Sequence, residues 1–272
     1  MNCMLRGFAI LGLLCFNAVV SSARTLHAAD TNVAVIQAAD TDVDVGSDVG
    51  SWWGRRVEVL LAVMSRCPDG RRAEARINEV LAKVHSIADV RLMYIAAKNE
   101  SAQPLGVTCK HGDLECAGNA QQLCAAYYGR HGHSSGTTGG DPWTRGWDFI
   151  MCQNKSPADI GTEELAERCL QEAGFTEHRA NLTRACWNGP EAGPILRKSA
   201  AEALRRKAYK SATIFIGGAY RCTHDDAQWY DCPGGSEVDD FVATICATYF
   251  RYTSMWPEEI CGPEPPDVSP TA

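Results

Sequence analysis

The chain has 272 residues, with 26 lysines and arginines, 33 aspartates and glutamates and 45% hydrophobic residues, so its formal net charge is −7. This composition excludes a collagen-like or fully disordered chain, because it holds enough apolar residues for a core. It also excludes a protein that coats nucleic acid, because no basic excess exists to hold phosphates. The 13 cysteines predict that this core is braced by several disulfides.

The first 23 residues have the pattern of a secretory signal peptide. Arg6 precedes an apolar stretch from Phe8 to Val20, and small residues follow at 21–23. A membrane anchor is the alternative, but Asn17 interrupts the stretch, which is shorter than the ~20 residues that span a bilayer. We therefore predict a protein of the secretory pathway, extracellular or lysosomal, without stable membrane insertion.

Removal of this leader also removes Cys3 and Cys15 and leaves 11 of the 13 cysteines. Because 11 is odd, at least one thiol is free or paired with another molecule in an oxidising compartment, as in a disulfide-linked dimer. Three acceptor triplets, at Asn99, Asn154 and Asn181, predict N-glycosylation in that pathway.

An acidic segment separates the leader from the folded part. Residues 24–51 hold five aspartates and no lysine or arginine after Arg24, a composition that predicts a flexible leader or a pro-segment. Residues 52–261 are long enough for one domain, and the proline-rich residues 262–272 are predicted to be a tail.

The folded part opens with a β-α-β pattern. Val57–Met64 is almost continuously apolar, as expected for a strand covered on both faces. Apolar residues at helical spacing from Ala73 to Val84 predict a helix, and Val90–Ala97 predicts the next strand. A crossover of this kind joins parallel strands, so Cys67 is predicted at the carboxyl end of the first strand and the amino end of the helix.

Residues 109–207 are predicted to be mainly helical, because residues typical of helix ends recur along this stretch. The predicted helix starts are Pro157, Thr162 and Thr176, and the predicted ends are Gly174 and Asn188.

The last part holds a predicted strand at Ala212–Ile216, a hairpin and a final helix that begins at a capping box of Ser236 and Asp239. The order βαβ, helices, ββ, α predicts an α/β protein with a thioredoxin-like fold and a helical insertion. Cys222 and Cys232 flank the hairpin and are predicted to form a local structural disulfide.

Cys67 is the first candidate for chemistry because of its predicted position. The unpaired N–H groups and the positive dipole end of a helix stabilise a thiolate, which is the reactive form of cysteine. Arg66, Arg71 and Arg72 add positive charge nearby, whereas Asp69 opposes them. The alternative is that Cys67 simply joins a structural disulfide.

A second cluster runs from Cys109 to Cys124 and reads C-K-H-G-D-L-E-C-A-G-N-A-Q-Q-L-C. Cys109, His111 and Cys116 could be zinc ligands, but a secreted context favours disulfides, so no metal is predicted. If Cys116 to Cys124 is helical, these two cysteines lie about 12 Å apart. That exceeds the ~7 Å between Cα atoms that a disulfide allows, so each pairs elsewhere.

This cluster resembles the signature of the gamma-interferon-inducible lysosomal thiol reductase family, roughly C-Q-H-G-x-x-E-C-x-x-N-x-x-x-x-C. The matching positions are Cys109, His111, Gly112, Glu115, Cys116, Asn119 and Cys124, with Lys110 in place of glutamine. The similarity continues at Cys152, Cys169, Cys186, Cys246 and Cys261. The resemblance implies a thioredoxin-like protein that reduces disulfides of endocytosed proteins in acidic compartments, with a C-x-x-C pair after the first strand.

The departure from the family lies at that pair. Cys67 matches the first active-site cysteine and is followed by Pro68 and Asp69, but Gly70 stands where the second cysteine belongs. The resemblance therefore implies a single-thiol reductase that acts on disulfide-containing proteins. An external thiol such as glutathione or cysteine would release the substrate, without a bound cofactor.

A second departure is that Ser211 or Ala212 stands where the family has a proline before the late strand. Both departures leave a second hypothesis open, a redox-inactive relative that serves as a secreted binding or effector protein. If the chain is instead a single-thiol reductase, which is the first hypothesis, the ten mature cysteines other than Cys67 form five structural bridges.

Overall fold

The computed structural model describes residues 56–130 and 143–264. The predicted signal peptide, the acidic leader and most of the predicted tail lie outside these residues. The strands of the described part are β1 (Val57–Val63), β2 (Ala88–Tyr94), β3 (Ala97–Lys98), β4 (Val107–Thr108), β5 (Thr213–Ile216), β6 (Ala219–Asp225) and β7 (Gln228–Tyr230). The helices are α1 (Pro68–Val84), α2 (Asp113–Arg130), α3 (Thr144–Asn154), α4 (Glu163–Glu172), α5 (Glu177–Asn188), α6 (Ala192–Arg205), α7 (Val238–Thr253) and α8 (Glu258–Cys261).

A five-stranded mixed sheet has the order β2-β1-β5-β6-β7. Strand β1 runs parallel to β2, with Val57 opposite Ala88, and antiparallel to β5, with Val59 opposite Ile216. Six of the seven residues of β1 are buried, as its apolar run predicted. The α1 crossover between β1 and β2, together with the antiparallel β5 and β6, is the arrangement of a thioredoxin-like fold. The predicted α/β fold is confirmed.

Five helices, α2 to α6, are inserted between β2 and β5 and pack mainly around α2. The hydroxyl groups of Thr162 and Thr176 accept hydrogen bonds from backbone N–H groups in the first turns of α4 and α5, as their capping positions predicted. Helices α1 and α7 pack against each other. Fully buried side chains such as Leu61, Phe149 and Phe241 form the core.

Two predicted helix starts are wrong. Residues 157–161 form turns rather than a helix from Pro157, because Gly161 has a φ of +96° and passes so close to Leu114 that a Cβ would clash with its carbonyl. The capping box of α7 lies one residue later than predicted, at Glu237 and Asp240. There the Asp240 carboxylate accepts the Glu237 N–H at 2.9 Å.

The strand predicted at Val90–Ala97 divides into β2 and the short β3, because β2 ends where its pairing partner β1 ends, Tyr94 lying opposite Val63. Ala97 pairs instead with Thr108 of β4, in a separate two-stranded sheet. Within the described ranges no helix is both long and apolar enough to cross a membrane.

Candidate active site

Cys67 is the N-cap residue of α1 and is the one unpaired cysteine of the described part of the chain. Pro68 occupies the first helical position, where a backbone N–H would have no hydrogen-bond partner within the helix. The N–H of Arg71 donates to the Cys67 carbonyl oxygen at 3.1 Å and so begins the helix. Cys67 is 7% exposed, and its thiol donates to the Ser211 carbonyl oxygen, 3.6 Å from Sγ.

A cavity of about 500 Å³ opens beside Cys67. Its walls are the chain after β2, the loop that carries Cys109, the connection from α6 to β5 with Ser211, and two carboxylates, Asp69 and Asp225. The cavity therefore brings together the candidate thiol, the first two residues of the signature cluster and the segment before the late strand. These parts are far apart in the sequence.

Ser211 fills the space in front of Gly70, one turn after Cys67. A Cβ at position 70 would lie 2.8 Å from Ser211 Oγ and 3.2 Å from the Met64 carbonyl oxygen. Ser211 Oγ also accepts the Met64 N–H at 2.9 Å. Any side chain at position 70 therefore displaces a hydroxyl that satisfies a buried backbone group.

The Ser211–Ala212 peptide bond is cis. Ala212 exchanges two backbone hydrogen bonds with His224, Ala212 N to His224 O at 2.8 Å and His224 N to Ala212 O at 2.9 Å. This pairing fixes the backbone that presents the Ser211 carbonyl to Cys67.

Asn119 connects the signature cluster to the loop before Cys67. Its buried side chain accepts the Ser65 N–H at 3.0 Å through Oδ1, and its Nδ2 donates to Cys109 Sγ at 3.7 Å. Ser65 Oγ donates to the carbonyl oxygen of Glu115 at 3.2 Å. The amino end of α2 therefore holds the loop that presents the thiol.

His111 and Glu115 close the turn that leads into α2. His111 Nδ1 lies 2.5 Å from Glu115 Oε2, and the same carboxylate accepts the His111 backbone N–H at 3.1 Å. Gly112 lies between them with a φ of +84°, which favours glycine. These signature residues therefore have a bracing role in the structure.

The other ten cysteines of the described part form five bridges. Cys116 and Cys124 have different partners, as their helical spacing required. Cys109 and Cys116 bond to each other, and the described residues contain no group of three metal-ligating side chains. The bridges are Cys109–Cys116, Cys124–Cys186, Cys152–Cys169, Cys222–Cys232 and Cys246–Cys261.

Asp69 fastens the first turn of α1 to the β6–β7 hairpin. Its carboxylate accepts the N–H groups of Asp226 and Ala227 at 3.2 and 2.9 Å. His224 Nδ1 lies 3.1 Å from the same carboxylate, without the alignment of a hydrogen bond. Burial lowers the pKa of His224. Burial raises the pKa of Asp69, but the Ala227 N–H, the His224 charge and Arg72 together outweigh it, so the pKa of Asp69 falls below its usual range.

Glu74 is a buried acid two turns after Cys67 on α1. Asn154 Nδ2 donates to Glu74 Oε2 at 2.6 Å, whereas Glu74 Oε1 has no partner. Burial raises the pKa of Glu74 to about 7, against the opposing effects of the Asn154 hydrogen bond and the Arg71 charge. Burial lowers the pKa of Arg71, against the charges of Glu74 and Cys67. Sequence reasoning missed this acid, although a glutamate beside Ala73 in the apolar stripe of α1 was a signal.

The three predicted glycosylation sites differ in their surroundings. Asn99 and Asn181 are exposed. Asn154 is partly buried, with its Oδ1 fully covered and its Nδ2 bonded to Glu74. The amide that a glycan would join is therefore occupied by a contact inside the protein.

Residues 58–173 match the model of the family described as "Gamma interferon inducible lysosomal thiol reductase (GILT)". The matched segment contains Cys67 and the whole signature from Cys109 to Cys124. Residues 58–173 are therefore similar to the GILT family. No curated protein matches the sequence.

Several solved structures are similar to the chain at low sequence identity. A putative protein-disulfide isomerase from Pseudomonas syringae is 14% identical, with a TM-score of 0.41, and covers 71% of this chain and 96% of its own. The oxidoreductase DsbA from Xylella fastidiosa is 15% identical, with a TM-score of 0.41 and coverages of 76% and 90%. Oxidised DsbA from Mycobacterium tuberculosis is 15% identical, with a TM-score of 0.43 and coverages of 80% and 93%.

The GILT match covers one side of the site. Ser211, in the connection from α6 to β5, and His224, in β6, lie beyond residue 173. The resemblance predicted at Cys186, Cys246 and Cys261 also lies beyond the matched segment and stays a prediction.

Proposed function

We propose that this chain is a thiol–disulfide oxidoreductase that reduces protein disulfides with Cys67 as its single nucleophile. The observation that carries the proposal is an unpaired cysteine at the amino end of α1, beside a cavity, within a GILT domain. A helix amino terminus stabilises a thiolate, and the family is named for thiol reduction.

The first step is an exchange between Cys67 and a substrate disulfide. The Cys67 thiolate attacks one substrate sulfur, a new S–S bond forms, and the substrate S–S bond breaks. The other substrate sulfur leaves as a thiolate with the bonding electron pair and takes a proton from water. The product is a mixed disulfide between Cys67 and the substrate.

The second step uses a low-molecular-weight thiol such as glutathione or cysteine. Its thiolate attacks Cys67 Sγ and releases the second substrate thiol, and a further molecule of the same thiol frees Cys67. One substrate disulfide is reduced to two thiols, and two external thiols are oxidised to one disulfide. Gly70 offers no sulfur for this step, and neither exchange step requires a bound cofactor.

The proposed location is the secretory pathway, in an extracellular or lysosomal compartment. Five disulfides among the described cysteines support it, because such bridges form and persist in oxidising compartments. The proposed partners are proteins that themselves contain disulfides.

A redox-inactive binding protein is the second candidate. The observations that favour it are the small exposure of Cys67, at 7%, and the hydroxyl of Ser211 in the place that a second active-site side chain would need. In this case Cys67 stays an unreactive thiol or joins two chains in a dimer, which electrophoresis without reductant would reveal.

The test is glutathione-dependent reduction of insulin by the full mature chain and by Cys67→Ser. We expect the wild-type rate to fall to the rate without protein in Cys67→Ser. The control variant Cys246→Ser/Cys261→Ser, which loses a bridge elsewhere, is expected to stay active. Full activity in Cys67→Ser would contradict the site, and a folded but inactive wild type would favour the second candidate.

A further inference from the structure

The cavity beside Cys67 holds a second sulfur group. Of the described cysteines, only Cys67 and Cys109 line it. Cys109 is bonded to Cys116. We propose that the Cys109–Cys116 disulfide exchanges with Cys67 and takes the place of the second cysteine that position 70 lacks. This inference rests on the proposed function.

The first support is the short route between the two groups. Asn119 donates to Cys109 Sγ at 3.7 Å and accepts the N–H of Ser65, two residues before Cys67, at 3.0 Å. One buried amide thus contacts both the disulfide and the loop that carries the thiol. The same N–H of Asn119 stabilises negative charge on Cys109 when the bridge opens.

The second support is the electrostatic setting of both sulfur groups. Cys67 caps the amino end of α1, and Cys116 lies in the first turn of α2, which has 18 residues. Helix amino termini favour thiolates at both places. Lys110, which stands where the family signature has glutamine, also lines the cavity and adds a positive charge.

The third support is the small cost of opening this bridge. Cys109 and Cys116 are seven residues apart, the shortest separation among the five described bridges. A disulfide that closes a short loop restricts the unfolded chain least, so its loss costs the least stability. Its neighbour Cys124–Cys186, in contrast, closes a loop of 62 residues and is buried.

The exchange balances in bonds and electrons. A low-molecular-weight thiol first reduces Cys109–Cys116 to two thiols and is itself oxidised to a disulfide. When Cys67 is bonded to a substrate, the Cys109 thiolate attacks Cys67 Sγ and the substrate leaves as a thiolate, which takes a proton. The Cys116 thiolate then attacks Cys109 Sγ, which frees Cys67 and restores the original bridge.

The test uses Cys116→Ser, which leaves thiols at Cys67 and Cys109, with one equivalent of Ellman's reagent. If the two sulfurs meet, the second thiol expels the bound thionitrobenzoate, so twice as much is released per reagent molecule as from separate thiols. Peptide mapping then finds a Cys67–Cys109 bridge. The matched control Cys261→Ser frees Cys246 and is expected to release only the single amount.

If Cys116→Ser does not fold, a measurement on the wild-type chain tests the exchange between Cys67 and Cys109. The protein is incubated in glutathione buffers of increasing reducing strength, quenched with acid and mapped. Peptides that join Cys67 to Cys109 support the inference, whereas Cys109 bonded only to Cys116 or to glutathione in every buffer overturns it. Cys67-dependent insulin reduction without such peptides would leave the proposed function standing and remove this inference alone.

Discussion

Asn119 accepts a hydrogen bond from the backbone N–H of Ser65 at 3.0 Å, two residues before Cys67. The asparagine belongs to the family signature, and the serine belongs to the loop that presents the candidate thiol. This bond explains what the signature does in this fold. It braces the active-site loop from the amino end of α2, and the same side chain contacts Cys109 Sγ at 3.7 Å.

The first prediction follows from that bond. Asn119→Ala leaves the Ser65 N–H buried without a partner, which costs about 1–3 kcal/mol of stability, and loosens the loop that carries Cys67. We expect a lower free energy of unfolding in urea and slower insulin reduction. Asn188→Ala, which removes an exposed amide, is the control. Equal stability and equal rates in the two variants would contradict the bracing role.

The second prediction concerns the space between Gly70 and Ser211. Gly70→Ala places a Cβ 2.8 Å from Ser211 Oγ, and overpacking of this kind costs about 1–3 kcal/mol. In a Ser211→Gly background the contact with Oγ is absent and only the 3.2 Å contact with the Met64 carbonyl oxygen remains, so the same substitution is expected to cost less. A double-mutant cycle by urea unfolding measures the coupling. Strictly additive effects would show that the two residues do not compete for this space.

The third prediction concerns stability in acid. Because burial raises the pKa of Glu74 from 4.5 to about 7, the folded state holds this proton more tightly than the unfolded state. The resulting stabilisation is complete below pH 4.5 and is lost as the pH rises through about 7, up to about 3 kcal/mol. Glu74→Gln stays neutral, so we expect it to gain stability relative to wild type between pH 4.5 and pH 8.

Urea unfolding at pH 4.5 and at pH 8 measures the stability of Glu74→Gln relative to wild type. Asp69 and His224 titrate in wild type and variant alike, so their contributions cancel in the comparison. Glu79→Gln, an exposed site on the same helix, is the control and should follow the wild type at both pH values. A Glu74→Gln variant that parallels the wild type would show that this acid titrates normally.

The fourth prediction is that the three acceptor triplets are used unequally. Asn154 donates to buried Glu74 at 2.6 Å, so a glycan there would break a contact inside the protein, whereas Asn99 donates to the exposed Thr108 hydroxyl at 2.9 Å. Asn99 and Asn181 are exposed. In protein secreted from eukaryotic cells we expect glycopeptides at Asn99 and Asn181 and an unmodified Asn154. A folded, secreted form with a glycan at Asn154 would contradict the placement of its side chain.

The parts of the fold that depend on local sequence patterns could be predicted from the sequence. The apolar run of β1, the helical spacing in α1 and the capping threonines Thr162 and Thr176 were all readable, because each effect acts within a few residues. The position of Cys67 was predicted for the same reason, because the pattern of a strand ends there and the pattern of a helix begins at once.

The parts that escaped prediction depend on contacts between distant segments. Asp69 and His224 are 155 residues apart, and nothing in their spacing joins them. Position 70 read as a missing cysteine, whereas the fold shows that Ser211 supplies the hydroxyl that occupies its space. Pro157 has the local signal of a helix start, but the close approach of Gly161 to Leu114 replaces that helix with turns.

The most direct test of the account is whether Cys67 forms a mixed disulfide. The native full-length mature chain is incubated with glutathione disulfide, quenched with acid and mapped by mass spectrometry without reduction, with Cys67→Ser as the control. We expect glutathione attached to Cys67 in the wild type and no adduct at this position in the variant. A folded wild type in which Cys67 remains an unmodified thiol would contradict it.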